Sequence, residues 1–187
     1  MSTCYHINVV NYYVSFISGS EVWLVMPVFE GGSMYDALQR KFTTGISDEV
    51  MMASILKEVL CGLQYLHSNG QIHRDIKSGN ILLEGNGAVK IGDFGVAARL
   101  KEGNKRTTFV GSPCWMAPEV VEGGGYDFRA DIWSFGITAI ELAHGNAPYS
   151  DLLAMKVIVS ILNNDPPKLN KSKKWDPGFE SMVNACL

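Results

Sequence analysis

The stretch Ile72–Leu83, which reads IHRDIKSGNILL, places a polar segment between two apolar ends. Its polar part contains a carboxylate at Asp75, an ammonium group at Lys77 and a carboxamide at Asn80. A carboxylate can take a proton from a hydroxyl group, a lysine can neutralise phosphate charge, and an asparagine oxygen can bind a metal ion. These are the residue types that phosphoryl transfer requires, so the central stretch, Ile72–Leu83, predicts that chemistry.

Three further signatures follow the central stretch in order. They are DFG at Asp93–Gly95, APE at Ala117–Glu119 and DIWSFG at Asp131–Gly136. One short motif can arise by chance, whereas four ordered motifs at such spacings do not. Together they resemble the catalytic domain of protein kinases, and the resemblance covers essentially all 187 residues. It implies an α+β, protein-kinase-like fold, mostly the α-helical carboxy-terminal lobe plus the last strands of the amino-terminal lobe.

Two longer segments indicate which group of protein kinases the chain resembles. TFVGSPCWMAPEV at 108–120 and YDFRADIWSFGITAIELAHGNAPY at 126–149 are similar to Ste20-like serine/threonine kinases. PCWMAPEV and LNNDPP particularly resemble the oxidative-stress-responsive and Ste20-related proline-alanine-rich kinases. The resemblance implies transfer of the ATP γ-phosphoryl group to a serine or threonine hydroxyl of a protein substrate, and an upstream activating kinase.

The resemblance also assigns roles to individual polar residues. Asp75 accepts or orients the proton of the substrate hydroxyl, and Lys77 neutralises charge on the transferred phosphoryl group. Asn80 holds Mg²⁺ while bracing Asp75, and Asp93 is the second magnesium ligand. The Ser112 hydroxyl, beside the acceptor of the substrate, is expected to bond Asp75 and Lys77. ATP and Mg²⁺ are therefore the expected cofactors.

The resemblance places the adenine of ATP at a hinge between two lobes. Met26 occupies the gatekeeper position behind the adenine, and Pro27 and Phe29 offer backbone groups to it. Proline lacks only the N–H group, which adenine does not need at that residue. Leu82 forms the floor under the adenine.

A polar segment at 101–108 contains two candidate phosphoacceptors, Thr107 and Thr108. Kinases that are switched by phosphorylation here pair the phosphate with the arginine before the catalytic aspartate, which implies that role for Arg74. Alignment to the family favours Thr108 as the acceptor. Outside a kinase, the same segment would be interpreted as a solvated loop with incidental threonines.

Four residues are assigned structural roles by the same resemblance. His73 is interpreted as a residue of the structural spine rather than a base, and Phe94 is likewise structural. Asp131 is expected at a helix start, where it accepts backbone hydrogen bonds from 73–74. Glu119 is expected to be a buried carboxylate whose arginine partner lies beyond Leu187.

Apolar periodicity predicts two long helices. One begins at an N-cap, Ser47, and ends at Asn69-Gly70. Its apolar residues recur at helical spacing: Val50, Met51, Ile55, Leu56, Val59, Leu63 and Leu66. His67, near its end, is interpreted as a capping or packing residue rather than a ligand. The second helix, 130–144, is apolar on almost every side and is therefore expected to be buried.

Strands are predicted on both sides of the central stretch. Val10, Tyr12, Val14 and Phe16 alternate with less apolar neighbours, and an apolar run at 22–26 follows Ser18-Gly19-Ser20. This pattern favours a two-stranded hairpin. Gly85-Asn86-Gly87 is a strong turn signal before a further strand at 88–91.

The composition indicates one globular domain and excludes several functions. The chain is 47% hydrophobic and 19% charged, and its net charge of −3 gives no basic excess for nucleic acid or an anionic membrane. Cys4, Cys61, Cys114 and Cys186 lie far apart, which argues against a zinc or redox site. No apolar run approaches the ~20 residues that membrane insertion needs. We therefore expect a cytoplasmic protein.

The resemblance divides the chain at 1–26, a remnant of the amino-terminal lobe, 27–32, the hinge, and 33–187, an incomplete carboxy-terminal lobe. No G-x-G-x-x-G loop and no V-A-I-K lysine precede the first strands. The expectation is a fragment of an active kinase that is weakly active or inactive alone. The alternatives are a non-catalytic kinase-like interaction module and a product that does not fold stably.

Overall fold

The computed structural model describes residues 5–92, 98–99, 112–171 and 173–187. The predictions for Asp93, Phe94, Thr107 and Thr108 fall outside these described residues. Helices predominate over short strands in the described part of the chain, which agrees with the predicted α+β class.

The described helices are α1 (Met34–Arg40), α2 (Glu49–Ser68), α3 (Pro118–Glu122), α4 (Arg129–His144), α5 (Ala154–Asn163) and α6 (Pro177–Cys186). The described strands are β1 (Val14–Ser18), β2 (Glu21–Val25), β3 (Gly32–Ser33), β4 (Gln71–Ile72), β5 (Ile81–Leu83), β6 (Val89–Ile91) and β7 (Ala98–Arg99). Short 3-10 turns span Ser78–Asn80 and Pro113–Trp115.

The strands form three small antiparallel sheets. The β1–β2 hairpin was predicted, and in the described part of the chain its strands pair only with each other. The rings of Phe16 and Trp23 stack across it at 6.2 Å, although every residue of both strands is exposed. The second sheet has the order β3-β5-β6, and β4 pairs with β7.

The first strand begins later than the alternation predicted. Val10 does not belong to β1 but is buried, and its N–H group donates to the carbonyl oxygen of Ile91 at 2.9 Å. The N–H group of Ile91 donates in turn to the carbonyl oxygen of Asn8 at 2.8 Å. The segment before the hairpin is therefore anchored to β6 and the core, because apolar alternation alone cannot tell which neighbour a segment packs against.

Helix α2 leads directly to the central stretch. Its N-cap is Asp48, whose carboxylate accepts from the N–H groups of Val50 and Met51, so the prediction of Ser47 was wrong by one residue. Serine and aspartate are comparable N-caps, which is why the sequence did not separate them. Val50, placed on the apolar face by the prediction, is 77% exposed.

The predicted end of α2 at Asn69-Gly70 is confirmed, with φ +69° at Gly70. Helix α4 begins one residue before its predicted start and is buried on nearly all sides, as expected. It packs in the centre of the core between α2 and α6. The loop between α1 and α2 lies directly on the last turn of α4, because a Cβ atom at Gly45 would overlap the carbonyl oxygen of Ala143.

Replacing Gly136 by alanine is expected to weaken the packing of α4 on α6. A Cβ atom at Gly136 would lie 2.7 Å from the Cβ atom of Cys186 and 2.9 Å from a methyl carbon of Leu187. The Cβ atom of Cys186 cannot move without its backbone, so the helices must separate. We expect the free energy of unfolding to fall by about 1–3 kcal/mol in urea denaturation.

Gly124→Ala is the matched control for this substitution. A Cβ atom there meets no atom within 4 Å, and Gly124 does not adopt a positive φ. This control is expected to unfold like the wild type. A Gly136→Ala protein as stable as the control would show that the helix contact contributes nothing.

Candidate active site

The central stretch is fixed by a buried carboxylate at the start of α4. The carboxylate of Asp131, 0% exposed, accepts from the N–H group of His73 at 2.8 Å and from that of Arg74 at 2.7 Å. These are the hydrogen bonds that the resemblance to protein kinases implied. Asp131 also lies 2.7 Å from Nε2 of His67, which packs against Phe128, so His67 is a packing histidine with a specific partner.

Arg74 adopts a left-handed backbone conformation, with φ +72°. This conformation is uncommon for arginine, so local contacts must hold it. The bond from its own N–H group to Asp131 provides one such contact. Its guanidinium donates to the hydroxyl of Tyr126 at 3.4 Å. The strained residue directly precedes Asp75, and its conformation therefore sets the direction in which that carboxylate leaves the backbone.

The ring of His73 joins two backbone segments. Nδ1 accepts from the N–H group of Asp75 at 3.3 Å, so Nε2 carries the hydrogen and donates to the carbonyl oxygen of Gly92 at 2.9 Å. The ring is fully buried. Both nitrogens are engaged in backbone contacts, which fits a positioning role better than that of a base.

Asp75 lies at the centre of a polar cluster. Its Oδ2 atom is 2.7 Å from Nζ of Lys77 and accepts from Nδ2 of Asn80 at 2.9 Å. Its Oδ1 atom accepts from the N–H group and the hydroxyl of Ser112, at 3.1 and 3.0 Å. Lys77 also donates to the Ser112 hydroxyl at 2.7 Å. Asp75 and Ser112, which are 37 positions apart in the sequence, are thus in direct contact.

Opposing effects act on the pKa of Asp75. Burial raises the pKa, but the hydrogen bond and charge of Lys77, with hydrogen bonds from Ser112 and Asn80, outweigh burial and hold it below its ordinary value. The folded protein therefore favours the carboxylate. The stability gained from this group is complete above the ordinary value and is lost as the pH falls through the lower pKa of the folded state.

Asn80 has a side chain suited to a metal ion. Its Nδ2 atom donates both to the carboxylate of Asp75 and to its carbonyl oxygen, the latter at 2.7 Å. These bonds do not use the amide oxygen, which is the atom that Mg²⁺ would require. The second expected ligand, Asp93, lies outside the described residues, and the part that is described holds no cluster of three or more His, Cys, Asp or Glu suited to a metal.

Comparison with known proteins identifies the chain. The protein kinase domain model matches residues 1–187. The chain belongs to the protein kinase family. It is 50% identical over 210 residues to germinal center kinase 3 of Caenorhabditis elegans and 47% identical over 191 residues to the serine/threonine-protein kinase fray2 of Dictyostelium discoideum. It is 45% identical over 188 residues to the serine/threonine-protein kinase cst-1 of C. elegans.

These alignments cover 100% of the chain but 35%, 18% and 37% of the three relatives. The chain thus spans about a third or less of their length. Their names agree with the Ste20-like serine/threonine kinase resemblance of the motifs. Enzymes of the protein kinase family use ATP and Mg²⁺ and act on protein substrates.

The hinge segment that is expected to contact the adenine is joined to β5, the strand that directly follows Asn80. The N–H group of Gly31 donates to the carbonyl oxygen of Leu83 at 3.0 Å, which bonds the end of the hinge to the strand that carries Leu82. Leu82, Pro27 and Phe29 are half-buried, and Met26 is 37% exposed. Their side chains are therefore accessible.

Glu119 departs from its expected environment. It is only partly buried, whereas the sequence predicted a buried carboxylate. The pKa of the nearby Arg129 is raised mainly by its hydrogen bond to Asp127, and the charge of Glu119 adds to this effect. A partly exposed carboxylate near a cation has a much smaller desolvation cost than a buried one.

Glu141 is a residue of the site that sequence reasoning missed. Its carboxylate is 3% exposed and accepts hydrogen bonds from Ser78 and Trp115. A signal was present, because Glu141 interrupts the apolar pattern of the helix predicted at 130–144. A buried acid in an apolar helix requires partners, and these lie in the central stretch and in the turn after Ser112.

Glu141→Gln is expected to remove a pH dependence of stability. Burial raises the pKa of Glu141 above its ordinary value of 4.5, although the bonds from Ser78 and Trp115 oppose it. Ionised Glu141 therefore costs stability, and this cost disappears as the pH falls through the raised pKa towards 4.5. In urea denaturation, the wild type should gain stability relative to the glutamine variant between neutral pH and 4.5.

Glutamine is a suitable replacement because its oxygen can accept from the Ser78 and Trp115 nitrogens while its amide group donates to the Ser78 hydroxyl. Measurements stay above the ordinary pKa of Asp75, 3.8, to keep that carboxyl out of the comparison. A stability difference that does not change with pH would contradict the raised pKa of Glu141.

No α-helix in the described part of the kinase combines the length and the apolar character needed to cross a bilayer. The described cysteines, Cys61, Cys114 and Cys186, are free thiols. Burial raises the pKa of the Cys114 and Cys186 thiols, which lowers their reactivity at neutral pH.

Proposed function

We propose that this kinase transfers the γ-phosphoryl group of ATP to a serine or threonine hydroxyl of a protein substrate. The observation that carries the proposal is the convergence of Asp75, Lys77, Asn80 and Ser112 on one point, with every contact at 2.7–3.1 Å. Such a cluster combines a proton acceptor, a phosphate-binding cation and a metal-binding amide.

Asp75 is the group that orients the acceptor. Its lowered pKa keeps it ionised at neutral pH, so it can only accept a hydrogen bond, and the substrate hydroxyl supplies one. As the hydroxyl oxygen attacks the γ-phosphorus, the bond from that phosphorus to the bridging oxygen breaks, ADP leaves, and the hydroxyl proton passes to Asp75. Lys77 and Asn80 prevent the carboxylate from turning away, which keeps the reacting atoms aligned.

Lys77 and Ser112 favour an aliphatic hydroxyl. The ammonium group lies between Asp75 and Ser112, where it can compensate the charge that develops on the phosphoryl oxygens. Ser112 is hydrogen-bonded directly to Asp75, so its turn lies next to the acceptor position. A short side chain, serine or threonine, would place its hydroxyl there.

Asn80 and Asp93 would hold Mg²⁺, and Met26, Pro27, Phe29 and Leu82 would contact the adenine. When bound, the ion neutralises charge on the phosphate oxygens of ATP. The proposed lobes and hinge keep the boundaries 1–26, 27–32 and 33–187. Strand β3 spans the last of these boundaries and is paired with β5, which supports a close connection between hinge and central stretch.

Regulation and location complete the proposal. An upstream kinase would phosphorylate Thr108, and Arg74 would pair with the phosphate. A cytoplasmic location is supported by the free thiols of the described cysteines.

Peptides that differ only in their acceptor test the function. The protein, produced from its own complete transcript, is mixed with γ-labelled ATP and peptides carrying serine, threonine or tyrosine. We expect label on serine and threonine, none on tyrosine, and complete loss when EDTA removes Mg²⁺. Label on tyrosine, or no label on any peptide, would contradict the proposal, and the second result would favour the non-catalytic interaction module.

A further inference from the structure

We infer that Ser78 is a positioning residue for phosphoryl transfer, because it ties the central stretch through Glu141 to the turn that carries Ser112 and Trp115. The inference rests on the proposed function and extends it to residues outside the cluster around Asp75. It concerns how the acceptor side of the site is kept in place.

Glu141 receives donors from two separate segments. The N–H group of Ser78 donates to Oε2 at 3.1 Å, and the Ser78 hydroxyl donates to Oε1 at 2.5 Å. From the other side, Nε1 of Trp115 donates to Oε2 at 3.1 Å. Ser78 is 1% exposed. Both carboxylate oxygens are therefore occupied, and the only donors that Ser78 possesses are both directed to Glu141.

The same two segments are also joined at their other ends. Ser112 donates twice to Asp75, which lies three residues before Ser78, just as Ser112 lies three residues before Trp115. The contacts close a ring of two four-residue segments, 75–78 and 112–115. With both ends tied, the turn cannot slide along the central stretch without breaking several hydrogen bonds.

Helix α4 supplies a rigid base for this ring. Glu141 is on α4, and the hydroxyl of Ser134, also on α4, donates to the carbonyl oxygen of Trp115 at 2.7 Å. Keeping a buried carboxylate is costly, and here three hydrogen-bond donors offset part of that cost. Within the described residues, the Ser78 hydroxyl is the hydrogen-bond donor to Oε1, so its loss leaves that oxygen without this donor.

Loss of this tie should impair the reaction of the protein substrate and leave the binding of the nucleotide unchanged. In Ser78→Ala the backbone N–H group still donates to Oε2, but Oε1 loses its hydroxyl donor, so the Glu141 carboxylate is held less firmly. The turn that Glu141 holds through Trp115, and with it the acceptor position, would become less well defined. For Ser78→Ala we expect kcat/KM for the protein substrate to fall about tenfold, with unchanged affinity for MgATP. Trp115→Phe removes the indole donor at the other side of Glu141 and is expected to give the same defect.

The test compares wild type, Ser78→Ala, Trp115→Phe and the double variant, all made from the complete transcript and normalised to folded protein. If the two residues act through one tie, the double variant is no slower than the single variants. The matched control is Ser54→Ala, the same chemical change on α2, where the lost hydroxyl bond, 2.8 Å to the carbonyl oxygen of Val50, stays within the helix. A kcat/KM within twofold of wild type in both single variants would overturn the inference.

Hydrogen exchange provides a readout that does not need activity. Ser78→Ala should accelerate exchange of the amides at 114–116, on the segment opposite the substitution, whereas Ser54→Ala should not. Unchanged exchange there, or equal acceleration in the control, would overturn the inference. An inactive wild-type protein would refute the proposed function. The exchange comparison alone would then show whether Ser78 holds the turn at 114–116 in place.

Discussion

Asp75→Asn is expected to lower kcat for phosphoryl transfer about 10³-fold. The carboxylate faces four donor groups, on Lys77, Asn80 and Ser112, and an amide has one acceptor oxygen to offer them. The variant therefore loses the proton acceptor, and its amide group is turned either towards Lys77 or towards the Ser112 amide. The measurement is kcat under saturating MgATP and peptide.

The matched control is Asp165→Asn, an exposed aspartate in the segment after α5. It carries the same chemical change away from the cluster and is expected to leave kcat unaltered. Near-ultraviolet circular dichroism checks that Asp75→Asn remains folded. A folded Asp75→Asn protein with wild-type kcat would remove Asp75 from the reaction.

Asp131→Ala is expected to cause the largest loss of stability, about 3–5 kcal/mol in urea denaturation. The substitution leaves the N–H groups of His73 and Arg74 without their acceptor in a fully buried place, and it also removes the partner of His67. Because Arg74 is held in a left-handed conformation, the central stretch is expected to relax when this anchor is lost.

Arg129→Ala serves as the control at the start of the same helix. It removes an ion pair with Asp127 whose arginine side chain is 79% exposed. Exposed ion pairs contribute little, so unfolding should occur at nearly the wild-type urea concentration. If Asp131→Ala unfolded at the same concentration as this control, the buried anchor would have no role in stability.

The hydrogen bonds of the central stretch were predictable because the four motifs resemble those of protein kinases, and that resemblance implies these partners. The N–H groups of residues 73–74 donate to Asp131, and Asn80 and Ser112 donate to Asp75, so these hydrogen bonds are all present. The β1–β2 hairpin and the carboxy-terminal ends of α2 and α4 were also predictable, since glycines mark where the chain must turn.

Other features depend on long-range packing that a local pattern does not contain. Val10 alternates like a strand residue, yet its place is fixed by β6, far along the chain. Asp48 rather than Ser47 caps α2 because the two residue types are nearly equivalent, and the tertiary path of the loop selects between them. Glu141 stood out as an acid in an apolar helix, but its donors, Ser78 and Trp115, could be found only from the fold.

We propose above all that the cluster around Asp75 is the site of transfer to a serine or threonine hydroxyl. The most direct test is a crystal structure of the protein from its complete transcript with Mg²⁺, a non-hydrolysable ATP analogue and a serine peptide. We expect the serine hydroxyl about 2.6–3.2 Å from a carboxylate oxygen of Asp75, with Mg²⁺ on the amide oxygen of Asn80. A bound peptide whose hydroxyl lies away from Asp75, or Mg²⁺ bound without Asn80, would contradict it.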